Sequence, residues 1–147
     1  MRILNSIEAI SAVGTKARLD GGKVKKVRSQ PELEEQAALI DWADKTVIDS
    51  VRIGDYLIHI PNEGKRGPKA ARDAKRLGVR AGVPDLFLAL PRGGYAGLWI
   101  EMKSKYGKVS DNQQCWMEKL SSGGYKYHIC FSSIEAIKIV LGYYEGR

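Results

Sequence analysis

Two apolar runs constrain this chain more than any other feature. Leu86-Phe87-Leu88-Ala89-Leu90 and Leu98-Trp99-Ile100 flank the turn-forming stretch Pro91-Arg92-Gly93-Gly94-Tyr95-Ala96-Gly97. Short apolar runs bounded by Gly and Pro read as strands, and their near-continuous hydrophobicity predicts burial on both faces. If the strands pair antiparallel about Gly93, Leu88 faces Leu98, Leu86 faces Ile100 and Asp85 faces Glu101. Opposed residues point to one face of a sheet, and Lys103, two positions beyond Glu101, shares it. Two carboxylates and one ammonium therefore converge at one end of an apolar hairpin.

Carboxylates in such surroundings are costly unless paired, hydrogen-bonded or bound to a metal. Two arrangements meet that need. One is a structural ion pair of Lys103 with Glu101 or Asp85. The other is a divalent-cation site for phosphodiester cleavage, with Asp85 and Glu101 as hard oxygen ligands for Mg²⁺ or Mn²⁺ and Lys103 beside the attacking water.

The remaining elements follow from periodicity. Ser29-Gln30-Pro31-Glu32 fits a capping box, so a helix of about 14 residues is expected from near Ser29, with Leu33, Ala37, Ile40 and Ala43 on its apolar face. Tyr56 to Ile60 reads as a strand and Asn62-Glu63-Gly64 as a turn. A second helix is expected over Pro68 to Leu77, with Ala70, Ala74 and Leu77 buried and Gly78 ending it. A helix over Ser110 to Leu120, a strand over Tyr125 to Phe131 and a helix over Ser133 to Tyr143 complete the series. The order α, β, α, β, β, α, β, α predicts an α/β domain with helices on the faces of a sheet.

Charge is unevenly distributed. The 147 residues carry 24 Lys and Arg against 17 Asp and Glu, a formal charge of +7 that favours a polyanionic partner. Residues 1–30 are strongly basic, 31–56 acidic and 57–83 basic again. We read 1–30 as a basic N-terminal arm and 31–147 as the folded domain. Within the arm, Met1 to Val13 could form a short strand or helix, and Gly14 to Arg28 reads as a basic loop, either a solvated tail or a DNA contact. Lys65, Lys69, Arg72 and Arg76 recur at helical spacing, with Arg66 beside them. They form either a solubilising face or a set of phosphate contacts. Asn62 either hydrogen-bonds DNA or closes a turn. The two cysteines, Cys115 and Cys130, exclude a disulfide scaffold and a cysteine-built zinc site, and read as small core residues. No apolar run approaches the length of a membrane span. A reducing cytoplasm is the expected compartment.

The chemistry-bearing residues also carry a resemblance. Gly82-Val83-Pro84-Asp85, followed after 15 residues by Glu101-Met102-Lys103, resembles the PD-(D/E)XK nuclease motif. The surroundings resemble its virus-type replication–repair nuclease branch, VRR-NUC. Matching stretches are Glu34-Glu35-Gln36 with Ile40-Asp41-Trp42, Ile60-Pro61-Asn62, Pro91-Arg92-Gly93-Gly94-Tyr95, and Ser110-Asp111-Asn112-Gln113 with Trp116. The resemblance implies a restriction-endonuclease-like core, a mixed β-sheet flanked by helices. It implies that Asp85, Glu101 and the main-chain carbonyl of Met102 bind Mg²⁺ or Mn²⁺, and that Lys103 orients or deprotonates the water. Glu35 would be a further metal ligand, with Glu34 as the alternative, and Gln113 would organise the site, with Gln114 as its rival. The family is associated with structure-specific DNA cleavage and DNA repair, and stand-alone members are similar to homodimeric Holliday-junction resolvases. The residues alone leave open a DNA-binding protein of the same fold that does not cut, and a flap- or RNA-directed nuclease.

Overall fold

The computed structural model describes residues 31–62 and 66–147 in full, together with the backbone of 17–20 and 23–26. The chain divides into two compact units, Met1–Pro31 and Glu32–Arg147. In the first unit, β1 (Ala17–Asp20) and β2 (Lys23–Lys26) form an antiparallel hairpin, so part of the stretch read as a basic loop is strand. Met1 to Val13 lies outside the described residues.

The second unit opens with α1 (Pro31–Lys45). The small hairpin of β3 (Val47–Ile48) and β4 (Val51–Arg52) and a 3-10 turn over Ile53–Asp55 lead into β5 (Leu57–His59). There follow α2 (Pro68–Arg76), β6 (Leu86–Leu88), β7 (Leu98–Met102), α3 (Asp111–Ser122), β8 (Lys126–Cys130) and α4 (Ser133–Tyr144). The main sheet has the order β5-β6-β7-β8. The first two pairings are antiparallel and β7–β8 is parallel. A parallel neighbour needs a crossover, and α3 supplies it. The result is the expected mixed sheet with helices on its faces.

The β6–β7 register is the one expected from the sequence: Leu86 with Ile100, Phe87 with Trp99, Leu88 with Leu98. The turn itself is not centred on Gly93. Arg92 and Tyr95 exchange backbone hydrogen bonds around Gly93 and Gly94, both at positive φ (59° and 84°), the signature of a two-residue primed hairpin turn. Three residues separate Leu88 from Arg92 and two separate Tyr95 from Leu98. The extra residue on the first strand is a bulge that restores the register.

One face of the sheet is dry. Leu86, Leu88, Leu98 and Ile100 have no exposed surface, and they pack in one cluster with Leu39 and Ala43 of α1 and Ala136, Val140 and Tyr143 of α4. Each such Leu or Ile contributes about 1.5–3 kcal/mol through burial. The expectation of burial on both faces is corrected on the other side. There Phe87 stacks on Trp99 with ring centroids 4.4 Å apart and Tyr125 packs edge-on, and all three are half-buried. Strand burial thus tracks side-chain size: compact aliphatics fill the closed face and large rings partly cover the open one.

Three further corrections concern faces. In α1 the buried positions are Leu39 and Ala43, whereas Leu33 and Ala37 are exposed. The half-buried face begins instead with Glu32, Glu35 and Gln36: the two carboxylates accept from backbone N–H groups of Ser104 and Ser133, and the Gln36 amide meets the His59 ring. In α2 no residue is buried and Leu77, just beyond it, is 87% exposed. The expected stripe of Ala70, Ala74 and Leu77 does not form: Ala70 and Leu77 are exposed and Ala74 is only half-buried, because no core element lies against this face. Cys115 is exposed, whereas Cys130 is buried and its thiol is pushed up to about 12 by desolvation. Tyr143 and Tyr144 belong to the core, where their hydroxyls donate to Leu90 O and Ile48 O. Among the described residues no helix is long and apolar enough to cross a membrane.

Candidate active site

The site forms where β6 stops and β7 continues. Lys103 N donates to Cys130 O at 2.9 Å, so along β7 the even-numbered backbone groups face the β6 side. Met102 N therefore points to a place that β6, starting at Leu86, does not reach. The Asp85 carboxylate takes that role, accepting from Met102 N at 2.8 Å. The Met102 carbonyl lies on the same side of its strand. The Asp85 backbone is held in turn, its carbonyl accepting from Ile60 N at 2.8 Å and lying 2.9 Å from His59 Nδ1.

The loop before Asp85 is pressed onto the start of α3. Gly82 has φ of 85°, and a Cβ there would fall 2.4 Å from the Asn112 backbone, so only glycine permits the approach. Trp116 Nε1 donates to Ala81 O, and Asn62 Nδ2 donates to Val83 O and Arg80 O. Asn62 thus holds this loop; the expected turn Asn62-Glu63-Gly64 lies partly outside the described residues.

Asp85 and Glu101 are 5% and 1% exposed, and Lys103 Nζ lies 3.4 Å from Glu101 Oε1. The opposing pair and the lysine are together, as the register required. Gln113 joins them. Ser110 caps α3 by accepting from Gln113 N, and Gln113 Oε1 accepts from Ser110 N at 2.9 Å. That bond directs the other end of the amide, Nε2, to donate to Glu101 Oε1. Gln113 rather than Gln114 reaches the carboxylates; Gln114 is exposed and donates to Glu118.

Glu35 does not join the pair. Its carboxylate accepts from Ser133 N at the start of α4, and this backbone bond holds its pKa below the usual carboxylate value. The alternative, Glu34, is on the exposed side of α1. Among the described residues no three His, Cys, Asp or Glu side chains gather into a metal-ligating group. Two neighbours of Glu35 in α1 do touch the site's supports, and the sequence reading overlooked both. Glu32 Oε1 accepts from Ser104 N at 2.6 Å, next to Lys103, and Gln36 Nε2 lies 3.1 Å from His59 Nδ1. Their signal was the i, i+3, i+4 spacing of Glu32, Glu35 and Gln36, one helix face.

The oxygens available suit a hard cation. Asp85 and Glu101 bring two negative charges into a nearly closed corner and Lys103 offsets one of them. A divalent ion held by the two carboxylates and the Met102 carbonyl would meet oxygen donors of the kind Mg²⁺ and Mn²⁺ prefer.

Beyond this corner lies a cavity of about 670 Å³ lined by Asn62, Arg66, Lys75 and Arg80 over Ala71, Ala74, Val79 and Ala81. Lys69, Arg72 and Arg76 stand exposed on α2. Lys65 lies outside the described residues.

Comparison with known proteins agrees with this geometry. The model of the VRR-NUC domain matches residues 30–133. A solved structure described as a VRR_NUC domain protein superposes with a TM-score of 0.70 at 27% identity, over 82% of this chain and 93% of its own. No curated protein matches. The domain match runs from α1 through both carboxylates to the start of α4, and on that extent the chain belongs to the VRR-NUC family of nucleases.

Proposed function

We propose that this chain is a metal-dependent, structure-specific DNA endonuclease that acts on branched DNA such as Holliday junctions, as a homodimer. The observation that carries the metal-dependent reading is the corner itself: two buried, opposed carboxylates, a lysine 3.4 Å from one of them, and a backbone carbonyl on the same edge.

Mg²⁺ or Mn²⁺, held by Asp85, Glu101 and the Met102 carbonyl, would supply Lewis-acid stabilisation of the phosphoryl oxygens. The chain's own groups do the rest. Lys103, 13% exposed and fixed beside Glu101, orients the attacking water and places its charge where negative charge develops in the transition state. Gln113 holds the Glu101 carboxylate in one orientation. The glycine-dependent loop of Gly82 and the Met102 N–H do the same for Asp85. Water attacks the phosphorus and gives up a proton to solvent, the bond to the leaving oxygen breaks, and that oxygen takes up a proton from solvent.

DNA would be gripped by the exposed bases of α2 and by Arg66, with Asn62 and Arg80 at the cavity that adjoins them. An α-helix with no buried residue and several exposed cations is better accounted for by an external polyanion than by core packing. Each phosphate contact releases counterions, so replacing both Lys69 and Arg72 with Ala should flatten the salt dependence of DNA binding by about two units of slope. It should weaken all DNA sequences alike. An unchanged slope in fluorescence-anisotropy titrations would return α2 to a solubilising face.

Junction specificity and assembly rest on symmetry. A four-way junction is two-fold symmetric and its resolution takes two cuts, which a closed dimer delivers from two identical sites. One experiment tests the reading. The protein is incubated with labelled junction, flap, duplex and single-stranded DNA and with RNA, in Mg²⁺, Mn²⁺ or EDTA, and its mass is followed by sedimentation. Paired nicks in junctions by a dimer, abolished by EDTA, are expected. Cleavage in excess EDTA would overturn metal dependence. A strict monomer that cuts flaps and leaves junctions whole would overturn the junction reading and leave a nuclease.

A further inference from the structure

The mechanism above leaves two neighbouring buried polar groups without a task, and the Tyr127 hydroxyl is the one on the strand beside Glu101. Tyr127 lies on β8 in register with Trp99, two positions before the partner of Glu101. Paired residues share a face, so its ring stands on the open face of the sheet, the face of Trp99 and Glu101. Its hydroxyl is buried and hydrogen-bonds to no protein group among the described residues, and the indole Nε1 of its neighbour Trp99 is in the same condition. Tyr143 and Tyr144, by contrast, each donate to a backbone carbonyl.

A buried hydroxyl left unsatisfied costs about 1–3 kcal/mol, so a group kept in that state calls for an explanation. The register indicates where its partner lies, because the ring stands on the sheet face that carries Glu101. Burial, then the charges of Glu101 and Asp85, raise the Tyr127 pKa well above its ordinary value. The phenol is therefore protonated at any physiological pH, and toward the carboxylates it can act only as a donor. It shares the sheet face of Glu101 yet hydrogen-bonds to neither carboxylate, so a link between them would have to run through a bridging water.

We propose that Tyr127 is a positioning residue: its hydroxyl donates to an ordered water, and that water donates to the Asp85–Glu101 carboxylates, holding them ready for the cation. The inference rests on the metal-dependent reading above and adds to it a second support for the carboxylates beside Gln113. Hydrogen-bonded supports of metal-binding carboxylates typically change affinity or activity by about 10–100-fold when removed.

The test is Tyr127→Phe, which keeps the ring and deletes only the hydroxyl. Mn²⁺ binding is measured by isothermal titration, and unfolding of the metal-free protein by calorimetry. The expected result is a Kd for Mn²⁺ raised about tenfold, with the Tm of the metal-free variant equal to or above that of the parent. Cleavage should be lost at low Mn²⁺ and recovered at saturating Mn²⁺. A Kd within twofold of the parent would overturn the proposal. A lowered Tm with unchanged Kd would also overturn it and make the hydroxyl structural. If the parent protein takes up no Mn²⁺ at all, the metal-dependent reading itself fails. The same titration separates the two failures.

Discussion

Glu101→Gln is expected to reduce the rate of DNA cleavage at least about 10³-fold, close to 4 kcal/mol of transition-state stabilisation. Glutamine has the volume of glutamate and can still accept from Gln113 Nε2, so the wall of the site is preserved. What disappears is one of the two carboxylate charges that the described residues bring to the corner, and with it most of the attraction for a hard cation. DNA binding through α2 should persist, because those cations lie on a separate helix. The unfolding temperature should move by only a few degrees, since the change removes a charge that faces Asp85 as well as one that faces Lys103. Single-turnover cleavage at saturating Mn²⁺, beside calorimetry, checks all three expectations. A variant cleaving within tenfold of the parent would exclude Glu101 as a metal ligand.

Lys103→Ala should lower turnover by about 10²–10⁴-fold, the range for a positioned group that handles a proton or meets developing charge. The affinity for uncut DNA in Ca²⁺ should change less than about twofold. The asymmetry follows from placement. At 13% exposure and 3.4 Å from Glu101, the ammonium is too enclosed to serve as a general phosphate anchor. In the proposed mechanism it acts where the reacting phosphate enters. Equal losses in binding and cleavage would reduce Lys103 to an anchor, and full activity would leave it as the structural partner of Glu101.

Both predictions depend on a hairpin register that could be read before the fold was known. The alternation of strands allows only two facings, so a one-residue slip would have put Leu86 and Leu88 in water and Phe87 inside. Such a choice is strongly biased by sequence alone, and it places Asp85, Glu101 and Lys103 on one face. The real turn is centred half a residue away from Gly93, and a bulge absorbs the difference. Burial of Leu86, Leu88, Leu98 and Ile100 outweighs the geometry of the turn that connects them.

Helix faces were less legible, because adjacent helical positions differ by about 100° and every angle is available. Gln113 was separated from Gln114 only when Ser110 capped α3 and set the helix rotation. Glu35 looked like a third ligand beside the carboxylate pair, yet it is drawn to Ser133 N, an open donor at the start of α4 almost a hundred residues later. The exposure of α2 was equally invisible, because Ala and Leu at helical spacing promise a core contact only if a core lies opposite. By itself, then, the sequence determined that β6 pairs with β7, which face carries the carboxylates and lysine, and the family to which the chain belongs. Those are properties of short-range alternation and of a fixed motif. The tertiary structure alone decided which helix residues reach the site, since that depends on the rotation and docking of each helix against groups far away along the chain.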